Sequence, residues 1–193
     1  MGLGKGRDLR APSTRHLAAS VICADPPWKF SDKLTMSDTA RGAEQQYPCM
    51  SVKELCAWQL PCAVAEDAHL YLWRVSSMQR EALDVGEAWG FRPVSELVWL
   101  KRTSKGKRHF GMGRTVRLEH EVALIFKRGK GAPMLNHSTR STFEAPTGRH
   151  SEKPDEFYEI IKSLHGGARV ELFARKPRAG FTVYGNEIPG GYK

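Results

Sequence analysis

The chain has 193 residues, of which 40% are hydrophobic, so it can bury one substantial core and we expect a single domain over 1–193. Its formal net charge is +9, which favours an acidic polymer as a partner. No segment approaches the roughly 20 consecutive apolar residues of a membrane-spanning helix, so we expect no membrane association.

The cysteines indicate a reduced protein. Cys23, Cys49, Cys56 and Cys62 contain no C-x-x-C pair, and the sequence opens without a secretory apolar stretch. We therefore expect no disulfide framework, no zinc or other metal site, and a cytoplasmic location.

The first half of the chain predicts two strand–helix units. An apolar run over 17–24 predicts a strand buried on both faces, which leads into Asp25-Pro26-Pro27-Trp28. A capping box at Ser51 and Glu54 predicts a helix that continues as far as Pro61. A strand over 68–73 and a helix over 78–89 follow, and Gly90 is the expected helix stop.

The second half predicts strands over 91–100 and 119–126, separated by a long loop over 101–118. A helix over 154–164 stops at Gly166-Gly167, and two short strands over 169–174 and 181–184, joined by a tight turn, end the chain. Strands that alternate with helices predict an α/β fold with a largely parallel sheet covered on both faces. No G-x-G-x-x-G motif follows the first strand, which counts against a standard dinucleotide site there.

The DPPW turn, residues 25–28, has the chemistry to hold an exocyclic amino group. Two prolines fix two backbone angles and remove two donors, so the Pro26 carbonyl and the Asp25 carboxylate can each accept one amino hydrogen. The indole of Trp28 offers a flat face to a base. An ordinary turn that ends a strand is the alternative interpretation, because Asp and Pro are common in turns.

Five motifs in chain order carry a resemblance to a known family. They are Asp25-Pro26-Pro27-Trp28, Tyr47-Pro48-Cys49-Met50-Ser51, Ser151-Glu152-Lys153-Pro154, Glu171-Leu172-Phe173-Ala174-Arg175 and Gly185-Asn186-Glu187. Together they resemble the N6-adenine methyltransferases of the MT-A type, named for the mRNA adenosine methyltransferase subunit, and in particular the compact prokaryotic or phage branch.

The resemblance implies a Rossmann-like class I methyltransferase fold with a permuted motif order, in which the catalytic motif precedes the cofactor strand. That order would explain the missing glycine-rich loop. The implied reaction is methyl transfer from S-adenosylmethionine to the N6 amino group of adenine in nucleic acid, with Asp25, Pro26, Pro27 and Trp28 as the catalytic residues. DNA is favoured over RNA because the chain is small and has no extra RNA-binding module.

The resemblance also implies a set of cofactor-binding residues. Lys153 would pair with the methionyl carboxylate, and Arg175, Asn186 and Glu187 would surround the ribose hydroxyls. Glu171 and Phe173 alternate along one strand and are expected to face the same side, with packing as the alternative role of Phe173. The full expected set is Asp8, Leu9, Asp25, Lys153, Glu171, Phe173, Arg175, Asn186 and Glu187.

Some of these positions have other interpretations. Asp8-Leu9 resembles the short acidic pair that the family places against the donor's adenine, but Asp8 can equally belong to a mobile, basic N-terminus. Glu152 stands where the family usually has a histidine, and this departure puts any role of that histidine in doubt. Phe181 and Tyr184 stand where tryptophans are common.

Two segments, 29–46 and 101–118, are expected to be flexible substrate loops. The second carries seven Lys and Arg residues interleaved with His109 and Phe110, which suits contacts to phosphates, although solvated charge on a disordered loop is the alternative. Tyr47 is expected to line the pocket of the target base. The expected substrate-binding residues are Tyr47, Lys101, Lys105, Lys107, Arg108, Arg114, Glu119 and His120.

Several alternatives stay open at this point. A base inside a duplex cannot reach such a site, so the substrate is either single-stranded or has its base flipped out. An RNA adenosine N6-methyltransferase and a non-catalytic nucleic-acid-binding subunit with the same fold are the competing functions. The chain can be a monomer or a dimer, and a paralogous partner subunit is compatible with the family resemblance.

Overall fold

The computed structural model describes residues 18–29, 49–111, 115–148, 152–185 and 188. The elements in chain order are β1 (Ala19–Ala24), α1 (Val52–Ala57), β2 (Val64–Arg74), α2 (Gln79–Ala88), β3 (Arg92–Arg102), β4 (His120–Arg128), β5 (Thr142–Pro146), α3 (Asp155–Leu164), β6 (Arg169–Leu172) and β7 (Thr182–Tyr184). The seven strands form one sheet in the order β5-β3-β4-β2-β1-β6-β7.

The sheet is mixed. Among the described strands, four neighbouring pairs are parallel and two are antiparallel, and β4 takes part in both antiparallel pairs. Because β4 runs against its neighbours, its first residues lie at the same edge of the sheet as the last residues of β1, β2, β3 and β6. We call this the carboxyl edge.

The core lies on both faces of the sheet. One apolar cluster combines Ile22 and Leu70 with Leu55 of α1 and Val85 of α2. The cluster on the other face combines strand residues such as Trp73 with α3. Side chains alternate between the two faces along a strand, so β1 and β2 are buried on both sides, as predicted for the first strand.

The helix boundaries follow the sequence except at the end of α1. Ser51 and Glu54 form the predicted capping box, and Gly90 adopts a φ of 86° after α2. The expected extension of α1 to Pro61 is wrong, since the helix ends at Ala57. Trp58 is extended, with φ −70° and ψ 126°, and packs its ring against Phe173 at a centroid distance of 4.8 Å, so tertiary packing draws it out of the helix.

The end of the chain also differs from expectation. β5 was not predicted, because the alternation of its five residues TFEAP rests on only two apolar side chains and ends in a proline. β6 and β7 are parallel, so the predicted tight turn between them is wrong, and residues 173–181 carry the chain back across the sheet.

Residues 101–118 also depart from the picture of one long loop. β3 continues to Arg102, and the His109 amide donates to the Lys101 carbonyl at 3.1 Å. Gly111 and Leu118 exchange backbone hydrogen bonds of 2.9 and 3.3 Å. The Thr103 amide also donates to the Lys107 carbonyl at 2.8 Å, so residues 103–107 form a tight turn that folds 108–109 back against the end of β3, and Gly111 pairs with Leu118 before β4 begins. We call residues 103–111 and 115–119 the basic hairpin.

Within the ranges that the structure describes, no helix is long and apolar enough to cross a membrane.

Candidate active site

The DPPW turn leaves β1 at the carboxyl edge and is pinned by backbone hydrogen bonds. The Trp28 amide donates to the Pro26 carbonyl at 2.8 Å, which closes a tight three-residue turn. The Met50 amide donates to the Pro27 carbonyl at 2.8 Å, and the Lys29 amide donates to the Met50 carbonyl at 2.9 Å. The turn is therefore tied to the segment that precedes α1.

These bonds refine the expected role of the Pro26 carbonyl. It already accepts one hydrogen bond within the turn, so it is not a free outward-pointing acceptor. A carbonyl oxygen has two lone pairs, and accepting from the Trp28 amide leaves one for a further donor.

Trp28 lies in the core rather than in an open pocket. Its indole is 4% exposed, and its Nε1 donates to the Trp73 carbonyl at 2.9 Å. The expectation that this ring offers a flat face to a base does not match this position, because the ring is covered. In the structure Trp28 fixes the turn to the end of β2.

A row of four alternating charges lies beside the turn. The Lys153 ammonium is 2.8 Å from Asp25 Oδ2 and 3.4 Å from Glu121 Oε2, and the Lys101 ammonium is 2.7 Å from Glu121 Oε1. We call these four residues the charge row. They come from the end of β1, the start of β4, the segment before α3 and the end of β3, so the carboxyl edge assembles them.

Two members of the charge row, Lys153 and Glu121, are stabilised in their ionised forms by their neighbours. Burial alone would lower the pKa of Lys153, but the carboxylates of Asp25 and Glu121 outweigh it, and the pKa is raised above its usual value. Burial alone would raise the pKa of Glu121, but Lys153 and Lys101 outweigh it and lower the pKa. Lys153 is therefore a charged ammonium with a side chain only 9% exposed.

Trp73 provides a second polar group at this place. Its ring centroid lies 5.2 Å from the Lys153 ammonium, within cation–π range. The indole N–H is buried and has no hydrogen-bond partner in the described part of the chain. A buried donor without a partner is costly, so it marks a place where a ligand oxygen would be favourable.

Glu171 has a structural position rather than a place in an open site. It is 7% exposed, the Tyr158 hydroxyl donates to its Oε1 at 2.6 Å, and Arg178 Nε donates to its Oε2 at 2.8 Å. Arg178 also reaches Asp155 at the start of α3 at 2.6 Å. These contacts join β6 to α3 and differ from the expectation that Glu171 binds a cofactor.

Phe173 does not face the same side as Glu171, and that expectation is wrong. β6 ends at Leu172, and Phe173 has a φ of 61°, in the left-handed region that a bulky residue rarely adopts. The turn sends its ring to Trp58, which packs with the α1–α2 cluster, so the alternative packing role of Phe173 is the one the structure shows. Such a backbone conformation is frequent at binding sites.

The expected substrate-binding residues fall into two groups. Lys105, Lys107 and Arg108 are exposed on the basic hairpin, and the Arg108 guanidinium lies 3.7 Å from Glu119. Lys101, in contrast, is held by Glu121 in the charge row. His120 is exposed at the start of β4, close to the same edge.

Some predicted positions lie outside the described residues. They are Asp8, Leu9, Tyr47, Arg114, Asn186 and Glu187, together with most of the segment 29–46. Arg175 is described and exposed, three residues beyond the end of β6.

Sequence reasoning missed Glu121. It looks like an ordinary polar residue at the start of a strand, and its importance depends on β4 running antiparallel, which brings it to the same edge of the sheet as the end of β1. The sequence did offer one signal, because Glu119 and His120, which directly precede Glu121, were already expected to bind substrate.

The sheet, with its site at the carboxyl ends of the central strands, and the names of the related proteins define the class of the chain. It is a Rossmann-like α/β methyltransferase. More specifically, the MT-A70 family model matches residues 19–187, and the chain belongs to the MT-A70 family.

Individual relatives differ in how much of their length the chain covers. The chain is 31% identical over 186 residues to the type II methyltransferase M.MunI of Mycoplasma sp, covering 88% of this chain and 77% of that protein. It is 32% identical over 178 residues to a putative N(6)-adenosine-methyltransferase MT-A70-like protein of Medicago truncatula, covering 88% and 26%. It is 29% identical over 188 residues to METTL3, the N(6)-adenosine-methyltransferase catalytic subunit of Homo sapiens, covering 89% and 28%. The predicted family, fold and methyltransferase class are thereby confirmed.

Proposed function

We propose that this protein transfers a methyl group from S-adenosylmethionine to the N6 amino group of adenine in nucleic acid, and that the polymer is DNA. The observation that carries the proposal is the pair of acceptors at the end of β1, the Asp25 carboxylate and the Pro26 carbonyl, beside the buried Lys153 ammonium at 2.8 Å. Relatives named N(6)-adenosine-methyltransferases support the N6 position. The match to 77% of a compact type II methyltransferase favours DNA.

The groups at the carboxyl edge fit S-adenosylmethionine. The Lys153 ammonium and the Trp73 indole N–H are donors suited to the methionyl carboxylate, and the Asp25 carboxylate suits the positive charge on that ligand. When bound, S-adenosylmethionine supplies an electrophilic methyl group. Arg175, Asp8-Leu9 and Asn186-Glu187 complete the proposed site by family resemblance. Glu171 is left out of it because both of its oxygens hold β6 and α3 together.

Asp25 and Pro26 prepare the adenine nitrogen. The lone pair of N6 is delocalised into the purine ring, so the amine is a weak nucleophile. Two acceptors on its two N–H bonds favour a pyramidal nitrogen with the lone pair free to attack, and they stabilise the positive charge that develops there. Because Lys153 contacts Oδ2 of Asp25, the carboxylate is held in place before the substrate arrives.

The remaining catalytic effect comes from placement. Holding the amine in line with the methyl group contributes about 7 kcal/mol or more to lowering the barrier. The methylated nitrogen is acidic and loses its proton readily, so Asp25 needs no special basicity. Trp28 contributes indirectly, since its hydrogen bond to the Trp73 carbonyl fixes the turn that carries both acceptors.

Asp25→Asn tests the proposal. We expect methyl transfer from labelled donor to fall by about 100-fold or more, because asparagine has no negative charge and one oxygen, which Lys153 would occupy, so that an NH₂ donor would face the substrate amine. Digestion and mass spectrometry of single-stranded and duplex DNA and RNA would measure N6-methyladenine. Asp84→Asn, an exposed position on α2, is the matched control. Transfer by Asp25→Asn at the control rate would refute the mechanism.

The same measurements distinguish two alternative functions. The printed names of the adenosine methyltransferase relatives favour RNA as the second candidate polymer, and a larger yield on RNA than on DNA would establish it. A non-catalytic subunit would show no product on any polymer. It would also give no heat or thermal shift with S-adenosylhomocysteine, the product form of the donor.

A further inference from the structure

Two exposed apolar side chains stand on the basic hairpin. Phe110 is 57% exposed and Val116 is 65% exposed, on opposite strands of the hairpin. Phe110 directly precedes Gly111, and Val116 lies two residues before Leu118. Two backbone hydrogen bonds between Gly111 and Leu118 join these strands. Large apolar groups that a fold could cover but instead presents to solvent mark interaction surfaces.

The surroundings of these side chains are cationic. Lys105, Lys107, Arg108 and Arg117 are exposed on the same hairpin. Among the described residues of the hairpin, Glu119 is the one acidic residue beside these four cations. An apolar pair within a field of positive charge fits a partner that is polyanionic outside and apolar inside, which describes a nucleic acid duplex.

The hairpin is connected to the active site through the end of β3. Arg102 at its base binds Glu144 through two hydrogen bonds, one of them 2.9 Å from Nε to Oε2. Lys101, whose carbonyl accepts from the His109 amide, belongs to the charge row that ends at Asp25. Backbone and side-chain contacts through Lys101 therefore link the hairpin that carries Phe110 and Val116 to the proposed amine acceptors.

We propose that Phe110 and Val116 form an apolar wedge that enters a DNA duplex beside the target adenine and fills the space that the flipped base leaves. This inference rests on the proposed function and extends it to paired DNA as the substrate. A base in a duplex must leave the stack before the DPPW turn can reach its amino group, and an inserted apolar side chain lowers the free energy of that opening. The basic residues of the hairpin hold the flanking phosphates.

A second copy of this chain is the other partner that exposed apolar groups can fit. Two hairpins that each carry several exposed cations would repel one another, so the charge disfavours that partner. The experiment nevertheless measures it.

The test compares Phe110→Ala with wild type on one DNA preparation, used native and heat-denatured. The wedge acts only where base pairs must open, so we expect the variant to lose about tenfold or more of its methylation rate on native DNA and little on denatured DNA. Phe110→Leu, which keeps an apolar side chain, should retain most of the native-DNA rate. Leu135→Ala is the matched control, because Leu135 is 64% exposed away from the hairpin.

A second readout needs no methyl transfer. A synthetic duplex with several adenines replaced by 2-aminopurine should brighten when wild type binds, since that base fluoresces more strongly outside the stack. Phe110→Ala should bind this duplex through its cations without the same brightening. This keeps the two proposals separate, because an inert wild type that still brightens the duplex would refute the methyl transfer and support the wedge.

Four results would overturn the wedge. They are an equal loss of rate on native and denatured DNA, no loss on either, wild-type activity confined to denatured DNA, and brightening by Phe110→Ala equal to that of wild type. A change of oligomeric state in Phe110→Ala on sedimentation, with the native-to-denatured ratio unchanged, would assign the pair to a protein interface instead.

Discussion

Glu121→Gln removes the middle carboxylate of the charge row while keeping the shape of the side chain. At 3.4 Å the attraction between the Glu121 and Lys153 charges is about 5 kcal/mol at an effective dielectric constant of about 20. Most of this is offset by the cost of removing the carboxylate from water, which the amide largely avoids. In the variant, Lys153 still has the Asp25 carboxylate at 2.8 Å, so its buried charge keeps one partner. We therefore expect the free energy of unfolding to fall by about 1–3 kcal/mol at pH 7.

The pH dependence of this loss is the sharper expectation. Because the folded pKa of Glu121 is lowered, its contribution is present above the unfolded pKa of about 4.3 and is lost as pH falls through the lower folded pKa. The protonated glutamic acid then resembles glutamine in charge. The stability difference between wild type and Glu121→Gln should stay nearly constant from pH 7 to about pH 4.3 and narrow as pH falls further.

Urea unfolding followed by tryptophan fluorescence measures both effects, since the chain has five tryptophans. Glu87→Gln, an exposed position on α2, is the control and should change stability by less than about 0.5 kcal/mol. A Glu121→Gln loss that stays constant from pH 7 to well below pH 4 would refute the reasoning, because the loss would then come from packing and not from charge.

Three further variants test other parts of the fold. Trp28→Phe should lower stability by about 1–3 kcal/mol in thermal melts, because the buried Trp73 carbonyl loses its donor, and it should slow methyl transfer by loosening the turn. Gly185→Ala should cost about 2 kcal/mol or more, since a Cβ there would lie 1.9 Å from the Ala174 carbonyl oxygen, and an unchanged melting temperature would contradict this. Burial and a neighbouring histidine lower the pKa of His69 to about 4, so stability should decline by up to about 3 kcal/mol as pH falls from 6.5 towards 4. Unfolding midpoints for His69→Asn should vary less over that range.

The parts of the fold that local chemistry determines could be predicted from the sequence. The capping box at Ser51 and Glu54 and the left-handed glycine at Gly90 are signals contained within a few residues, and the structure shows both. Apolar runs also located six of the seven strands. β5 was missed because an alternation of five residues with two apolar side chains is a weak signal, and its pairing with β3 depends on residues distant in the sequence.

Side-chain direction was harder to predict than strand position. Glu171 and Phe173 are two residues apart, which puts them on one face of a continuing strand. The strand stops between them, and the φ of 61° at Phe173 sends its ring to the opposite face. Trp28 is a similar case, because the sequence shows an aromatic ring beside a catalytic turn but does not show that the ring points into the core.

The charge row shows why strand direction decides the chemistry of the site. If β4 ran parallel to β2, Glu121 would lie at the opposite edge of the sheet. Of the two carboxylates in the charge row, Lys153 would then contact Asp25 alone. The antiparallel pairing of Trp73 with Ala123 and of Arg74 with Val122 instead brings the first residues of β4 to the end of β2. A buried ammonium between two carboxylates is more firmly charged than one beside a single carboxylate, since each carboxylate offsets part of the cost of burial. The connection between β3 and β4 sets that direction, so it brings Glu121 to Lys153 and also carries Phe110 and Val116 to the same edge.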